Sequence, residues 1–161
     1  KKYPNTARAV TAAIIEAGKW IDAGLQNKNK MAETVADKSY VNTSVDVINQ
    51  RILGRYQNGL GKTWDDPNHM KFFNDGVVNY PYLSDGMWFL TQHKRWGLVK
   101  DHPDYLAVAK SVNQTALYAQ AASALKVSVP KDPMRSSKMV DGVVWDGKDP
   151  AKYADAFKVR A

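Results

Sequence analysis

Several groupings of side chains in this sequence have the types needed for chemistry, and each demands a particular geometry. The string Gly59-Leu60-Gly61-Lys62-Thr63 ends like a phosphate-binding loop. Such a loop needs a glycine five residues before Gly61, a buried strand ahead and a helix behind, so that successive amides face the phosphates. Tyr56 holds that position and Trp64-Asp65-Asp66-Pro67 follows, so the string reads as an ordinary turn. The histidines His69, His93 and His102 offer metal ligands or acid–base groups. None pairs with another ligand at helical spacing in a recognised metal pattern, and neither H-E-x-x-H nor G-x-S-x-G occurs. They read as surface or half-buried structural residues. Asp141, Asp146 and Asp149 carry oxygens suited to calcium, but their spacing is not that of an EF-hand loop, and turn and capping roles are expected.

The stretch His93-Lys94-Arg95-Trp96, with Lys100 beyond, combines cations with an aromatic ring, the ingredients of an anion-binding or nucleic-acid surface. No run of four Lys or Arg exists, and Trp96 falls at the apolar spacing of its helix. The stretch reads as a solvated basic face over a packed tryptophan. No nucleophile with its base, carboxylate pair or metal set emerges. The expectation is therefore no catalytic residue, no metal, no cofactor, and a protein that is not an enzyme.

The elements that must position these residues are mostly helices. Val10, Ile14, Ala17 and Ile21 recur at helical spacing behind Pro4, and Gly24 stands at the expected end. A second helical stretch lies around Lys30 to Ala36. A third is capped by Thr43, carries Val45, Ile48 and Ile52 on its apolar face, and ends at Gly54. Asp66-Pro67 predicts another helix start, with Met70 and Phe73 on one face and Gly76 as the stop. Further starts are expected at Ser84, His102-Pro103 and Asp149-Pro150, and further helices over Leu106 to Val112 and Leu117 to Leu125. Pro67, Pro103 and Pro150 are each expected in a first helical turn. Only Val127 to Val129 and Val143 to Trp145 look like strand. The predicted core includes Val10, Ile14, Ile21, Ile48, Ile52, Phe73, Trp88, Leu90, Trp96, Leu106 and Leu117.

Composition agrees with a packed chain. The 161 residues are 44% hydrophobic and 11% aromatic, which argues against disorder. No window approaches the roughly 18 apolar residues of a membrane helix. Zero cysteines exclude disulfides and thiolate chemistry. The opening Lys1-Lys2-Tyr3-Pro4 has neither an apolar leader nor a methionine, and reads as the start of a piece of something longer. The net charge is +7.

A resemblance runs through longer strings. At Asp66-Pro67-Asn68-His69-Met70-Lys71-Phe72-Phe73, at Asn79-Tyr80-Pro81-Tyr82-Leu83-Ser84-Asp85-Gly86-Met87-Trp88-Phe89-Leu90-Thr91-Gln92 and at Arg95-Trp96-Gly97, the sequence resembles the C-terminal part of the nitrate- and bicarbonate-binding subunits of bacterial ABC importers. Met134-Arg135-Ser136-Ser137-Lys138 and Asp141-Gly142-Val143-Val144-Trp145-Asp146-Gly147 continue it. Lys1 to Gly24 resembles a family helix, and Phe157-Lys158-Val159-Arg160-Ala161 the family's C-terminus.

The resemblance implies a mainly α chain: the helical C-terminal region of a two-lobed α/β periplasmic-binding-protein fold, with at most a few short strands. Residues 1–161 would form that single region, a fragment of a larger protein. It implies a carrier, the C-terminal portion of the solute-binding component of a nitrate importer, active in nitrate/nitrite transport. Bicarbonate or a sulfonate-type anion is the alternative cargo. From another class, the charge and aromatics permit a small basic helical nucleic-acid-binding domain. The implied partners are a small inorganic oxyanion held through the missing lobes and the permease subunits, with self-association of the fragment. The implied place is the periplasm, or attachment to the outer face of the cytoplasmic membrane. The family's anion contacts would fall upstream of Lys1, so the resemblance assigns no substrate-binding residue. On general chemistry alone, His69, His93 and Lys94 are the polar candidates for facing a cleft.

Overall fold

A computed structural model describes residues 2–157; the string Lys158 to Ala161, compared above to the family's C-terminus, lies outside the described residues. The chain divides into two compact units, residues 1–79 with 122–128, and residues 80–121 with 129–161.

The first unit holds three helices, α1 (Pro4–Asp22), α2 (Leu25–Val35) and α3 (Val45–Leu53). A hairpin of β1 (Arg55–Gln57) and β2 (Thr63–Asp65) follows, with Tyr56 opposite Trp64 in antiparallel register, and then a 3-10 turn at Asn74–Gly76. Pro4 opens α1, where a missing N–H costs nothing. Ser44 caps α3 by accepting the Val47 amide at 3.4 Å, and Gly54 closes it in the left-handed region. Ile15, Ala32 and Ile52, one from each helix, are buried.

One contact ties the end of α1 to a segment fifty residues away. The Asp22 carboxylate Oδ2 accepts the amides of Phe72, Phe73 and Asn74 at 3.0, 2.8 and 3.2 Å. Three successive amides converging on one oxygen form an anion-binding nest, filled here by the protein's own side chain. One turn back on α1, Gly18 admits the same segment. A Cβ there would meet the Phe72 carbonyl oxygen at 2.7 Å. That carbonyl also accepts the Asn79 side-chain amide at 2.8 Å.

The second unit is arranged around α4 (Leu83–Arg95), which packs on α5 (Tyr105–Val112) and α7 (Pro150–Asp155). A two-stranded pair, β3 (Ser137–Lys138) with β4 (Val144–Trp145), lies between the last two in sequence. α6 (Thr115–Ala124) begins in this unit, and its residues from Ala122 onward count with the first. Leu83, Met87, Tyr105, Ala109 and Trp145 make the core, with Met134, Met139 and Tyr153 against it. Ser84, fully buried, joins three segments. Its Oγ accepts the Arg135 amide at 3.0 Å, and its carbonyl accepts the Trp145 indole N–H at 2.9 Å. Arg135 then grips Asp85 through two bonds of 2.9 and 2.6 Å, and its guanidinium lies 4.5 Å from the Tyr82 ring centroid.

Several sequence expectations need correction. The buried side of α1 is Ile15 and Gly18, whereas Val10 and Ile14 are 54% and 53% exposed. The helix is turned by about one residue, roughly 100°, because Gly18 and Asp22 fix which side meets residues 72–74. No helix follows Asp66-Pro67. Asp66 instead makes a turn, accepting the Asn68 amide at 2.8 Å, and the amides of Phe72, Phe73 and Asn74 serve Asp22. Only the short 3-10 turn remains of that expected helix. Pro150 does sit in a first turn, while Pro103 lies just ahead of the true cap, Asp104. Ser84 is inside α4 rather than its cap. Val127 to Val129 is not strand, and the β1–β2 hairpin, too polar to stand out, was not expected. Trp96 and Leu106 are exposed.

Replacing Asp22 with Ala strands three amides. Asp22→Ala is expected to cost about 3 kcal/mol of unfolding free energy. Hydrogen exchange gives the local check, because the Phe73 amide should lose protection far more than amides within α3.

Candidate functional site

A cleft of about 410 Å³ opens beside the Asp22 nest, lined by Lys19, Lys28, Lys71, Asp22, Asp75 and Asn74 among others. Lys19 and Asp22 come from the last turn of α1, Lys28 from α2, and Lys71 and Asp75 from the segment held by Asp22. Three ammonium groups favour a small anion. Two carboxylates oppose it, and the amides best suited to an oxyanion are already taken by Asp22. The cleft can attract an anion electrostatically, without the converging donors that replace an anion's hydration. Lys19 and Asp22, three residues apart, mark one face of α1 in the sequence. Nothing local there points to Lys71.

The three residues expected to face a cleft fall in different surroundings. His69 is half-buried in the first unit, its Nδ1 3.2 Å from the Asp66 carbonyl oxygen, and the Asp66 amide donates to the Gly54 carbonyl at 2.8 Å. His93 and Lys94 lie in the second unit, in the last turn of α4. The His93 carbonyl accepts the Leu98 and Val99 amides and the Lys94 carbonyl accepts that of Gly97, which closes the helix. Their neighbour Arg95 donates to Gln92 Oε1 at 2.6 Å and stacks 3.7 Å from the Phe157 ring centroid.

The phosphate-loop-like string is the turn of the β1–β2 hairpin. Asn58 Oδ1 accepts the Leu60 and Lys62 amides at 2.9 and 3.1 Å, so those donors are spent inside the turn. The aspartates Asp141, Asp146 and Asp149 accept the amides of Val143, Lys148 and Lys152, the last as cap of α7. The Lys148 amide holds the Asp146 carboxyl below the ordinary range. Among the described residues, no group of three His, Asp or Glu side chains could hold a metal.

One arrangement has the outline of a proton relay. His102 reaches the Tyr105 hydroxyl through Nδ1 at 2.8 Å and Asp155 Oδ2 through Nε2 at 3.2 Å. Tyr105 is buried, and desolvation, helped by the nearby Asp155 charge, pushes its ionisation up. Tyr105 is enclosed in the core, which leaves its hydroxyl a structural partner for His102. The set ties the start of α5 to α7. Tyr80 and Tyr118 of the same unit are also pushed up by burial.

A tyrosine raised in the folded state stays protonated where the unfolded chain would ionise. Stability from Tyr80, Tyr105 and Tyr118 is therefore fully present below a pH of about 10 and falls as pH rises through their folded values. Absorbance titration near 295 nm should show these rings ionising after the exposed tyrosines, together with loss of the second unit's structure.

No protein-family model matches the chain. The chain is 34% identical over 99% of its length to the nitrate/nitrite binding protein NrtA of Nostoc sp. strain PCC 7120, of which it covers 37%. It is 26% identical, also over 99%, to the bicarbonate-binding protein CmpA of Synechococcus elongatus, covering 38% of that protein. The crystal structure of the periplasmic nitrate-binding protein NrtA from Synechocystis PCC 6803 superposes on 97% of the chain with a TM-score of 0.85 at 32% identity, and 42% of that structure is matched. Across nearly all of its residues, then, the chain is a relative in sequence and structure of the nitrate/nitrite-binding proteins, spanning little more than a third of their length.

Proposed function

We propose that this chain is a segment of the solute-binding component of an ABC importer whose cargo is nitrate, with nitrite as its close companion. The observation that carries the reading is end-to-end similarity to a nitrate/nitrite binding protein at 34% identity, against 26% for the bicarbonate-binding relative. In this reading the protein is a carrier and not an enzyme. It delivers its anion to permease subunits from the periplasmic side of the cytoplasmic membrane. No helix among the described residues is long and apolar enough to cross a membrane.

Two features support a role within a larger body. Val10, Ile14 and Ala17 leave an apolar stripe on α1 facing outward, next to the side that packs. Exposed stripes of this kind mark surfaces meant to be covered. The lysine-lined cleft, for its part, lacks the converging donors that a tight oxyanion site needs.

Calorimetry at about 0.15 M salt, where surface attraction is screened beyond roughly 8 Å, gives the test. A binding protein of the relatives' full length, carrying this segment, is expected to bind nitrate and nitrite saturably and bicarbonate weakly, with chloride inert. The 161-residue chain alone should bind none of them. Saturable, micromolar, nitrate-selective binding by the chain alone would place the site inside it and overturn the proposed division of labour; failure of the longer protein to bind nitrate would overturn the cargo.

A further inference from the structure

The β1–β2 hairpin carries features that neither the fold nor the proposed cargo uses. At its apex Leu60 is 87% exposed, between Gly59 and Gly61, whose backbones at positive φ have no other atoms within 4 Å of where a side chain would begin. Behind the apex, Tyr56 and Trp64 stack across the strands with ring centroids 5.5 Å apart, and Trp64 is itself exposed. Cations flank this pair. The Arg51 guanidinium lies 5.3 Å from the Tyr56 centroid and the Lys62 ammonium 5.9 Å from that of Trp64. Arg55 stands opposite Asp65 in the register of the ladder. Arg51 and Lys62 make no ion pair among the described residues.

We propose that this hairpin docks on an anionic lipid bilayer, with Leu60 entering the acyl boundary and Tyr56, Trp64, Arg51 and Lys62 at the level of the headgroups. The order of side chains from the tip inward matches the order of environments in a membrane surface. An aliphatic tip gains from leaving water. Stacked amphipathic rings suit the headgroup zone, and cations meet lipid phosphates. Charge complementarity selects anionic lipid, because Arg51 and Lys62 have no carboxylate to satisfy them and the chain as a whole carries +7. Within the turn, Asn58 Oδ1 accepts the Leu60 and Lys62 amides, which holds the apex in shape. The proposal does not depend on which anion the protein carries.

Sedimentation with vesicles at 0.15 M salt tests it. The chain is expected to bind vesicles of phosphatidylglycerol and phosphatidylcholine and to ignore pure phosphatidylcholine. Leu60→Ser leaves every charge in place and disturbs no packing. It should weaken binding about tenfold, and Lys62→Ala about fivefold. Brominated anionic lipid should quench part of the tryptophan emission, and Trp64→Phe should abolish that part. Circular dichroism checks that each variant keeps its helices. Failure to bind anionic vesicles overturns the proposal. So does binding that Leu60→Ser leaves unchanged, or quenching that Trp64→Phe leaves unchanged, either of which would be general attraction to a +7 surface. Tighter retention on single-stranded DNA than on vesicles, insensitive to Leu60, would assign the hairpin to nucleic acid instead.

Discussion

An oxygen that accepts three successive amides holds a piece of backbone in one shape, and Asp22 does this for residues 72–74. The carboxylate sits at the end of a nineteen-residue helix, so the helix becomes the rigid arm that presents it. Once the amides are committed, they cannot build a helix of their own, and the segment after Pro67 runs as irregular chain. Gly18 must then stay without a side chain, because the Phe72 carbonyl occupies that space. The face that α1 buries, the short 3-10 turn and the lysine-lined cleft all descend from this one electrostatic choice. The charge is carried by an acid and the donors are neutral amides, so the tie gains from partial shelter without requiring a buried cation.

The second unit solves the same problem, holding irregular chain on a helix, with a different set of bonds. Ser84 offers its hydroxyl to one backbone amide and its carbonyl to an indole N–H, and Arg135 adds a forked pair with Asp85. Each of these partners comes from the turn-rich stretch between α6 and α7, which has little regular structure with which to satisfy itself. A few polar bonds at the first turn of α4 therefore order a long connection. The aromatic layer of Trp145, Tyr153 and Phe157 continues from there along the helix.

Local signals in the sequence carried much of this arrangement. Each of the seven helices among the described residues overlaps one expected from apolar spacing, and the Gly54 stop and the Asp149-Pro150 start fall where expected, although Ser44 and not Thr43 caps α3. Two of the failures share a cause. The helix expected after Asp66-Pro67 is absent because its amides are claimed by Asp22, fifty residues earlier, and no window centred on residue 70 contains that information. On α1, Val10 and Ile14 give the stronger apolar pattern, but the packed side is decided by a glycine and an aspartate, residues that a hydrophobicity argument passes over. The β1–β2 hairpin escapes because arginine, glutamine, threonine and aspartate fill its strands, and only the Tyr56–Trp64 pair announces it. At the candidate cleft the limit is the same, since Lys71 meets Lys19 and Lys28 only after the chain has folded back.

The first unit is discontinuous, and that has a consequence for a chain being made on a ribosome. Residues 122–128 complete it, with the Ser128 carbonyl and Val127 lying against Gly76. Asp22 can find its three amides once residue 74 has left the exit tunnel. The closing strip arrives only after the intervening stretch, 80–121, has been synthesised. At 5–20 residues per second, that stretch takes roughly 2–8 s. During that interval the seat for residues 127 and 128 at Gly76 is unfilled, and α4 and α5 emerge without the later chain that Ser84 binds. Neither unit can therefore be finished before the other has begun, and the order of emergence makes the two halves of this chain co-dependent in time.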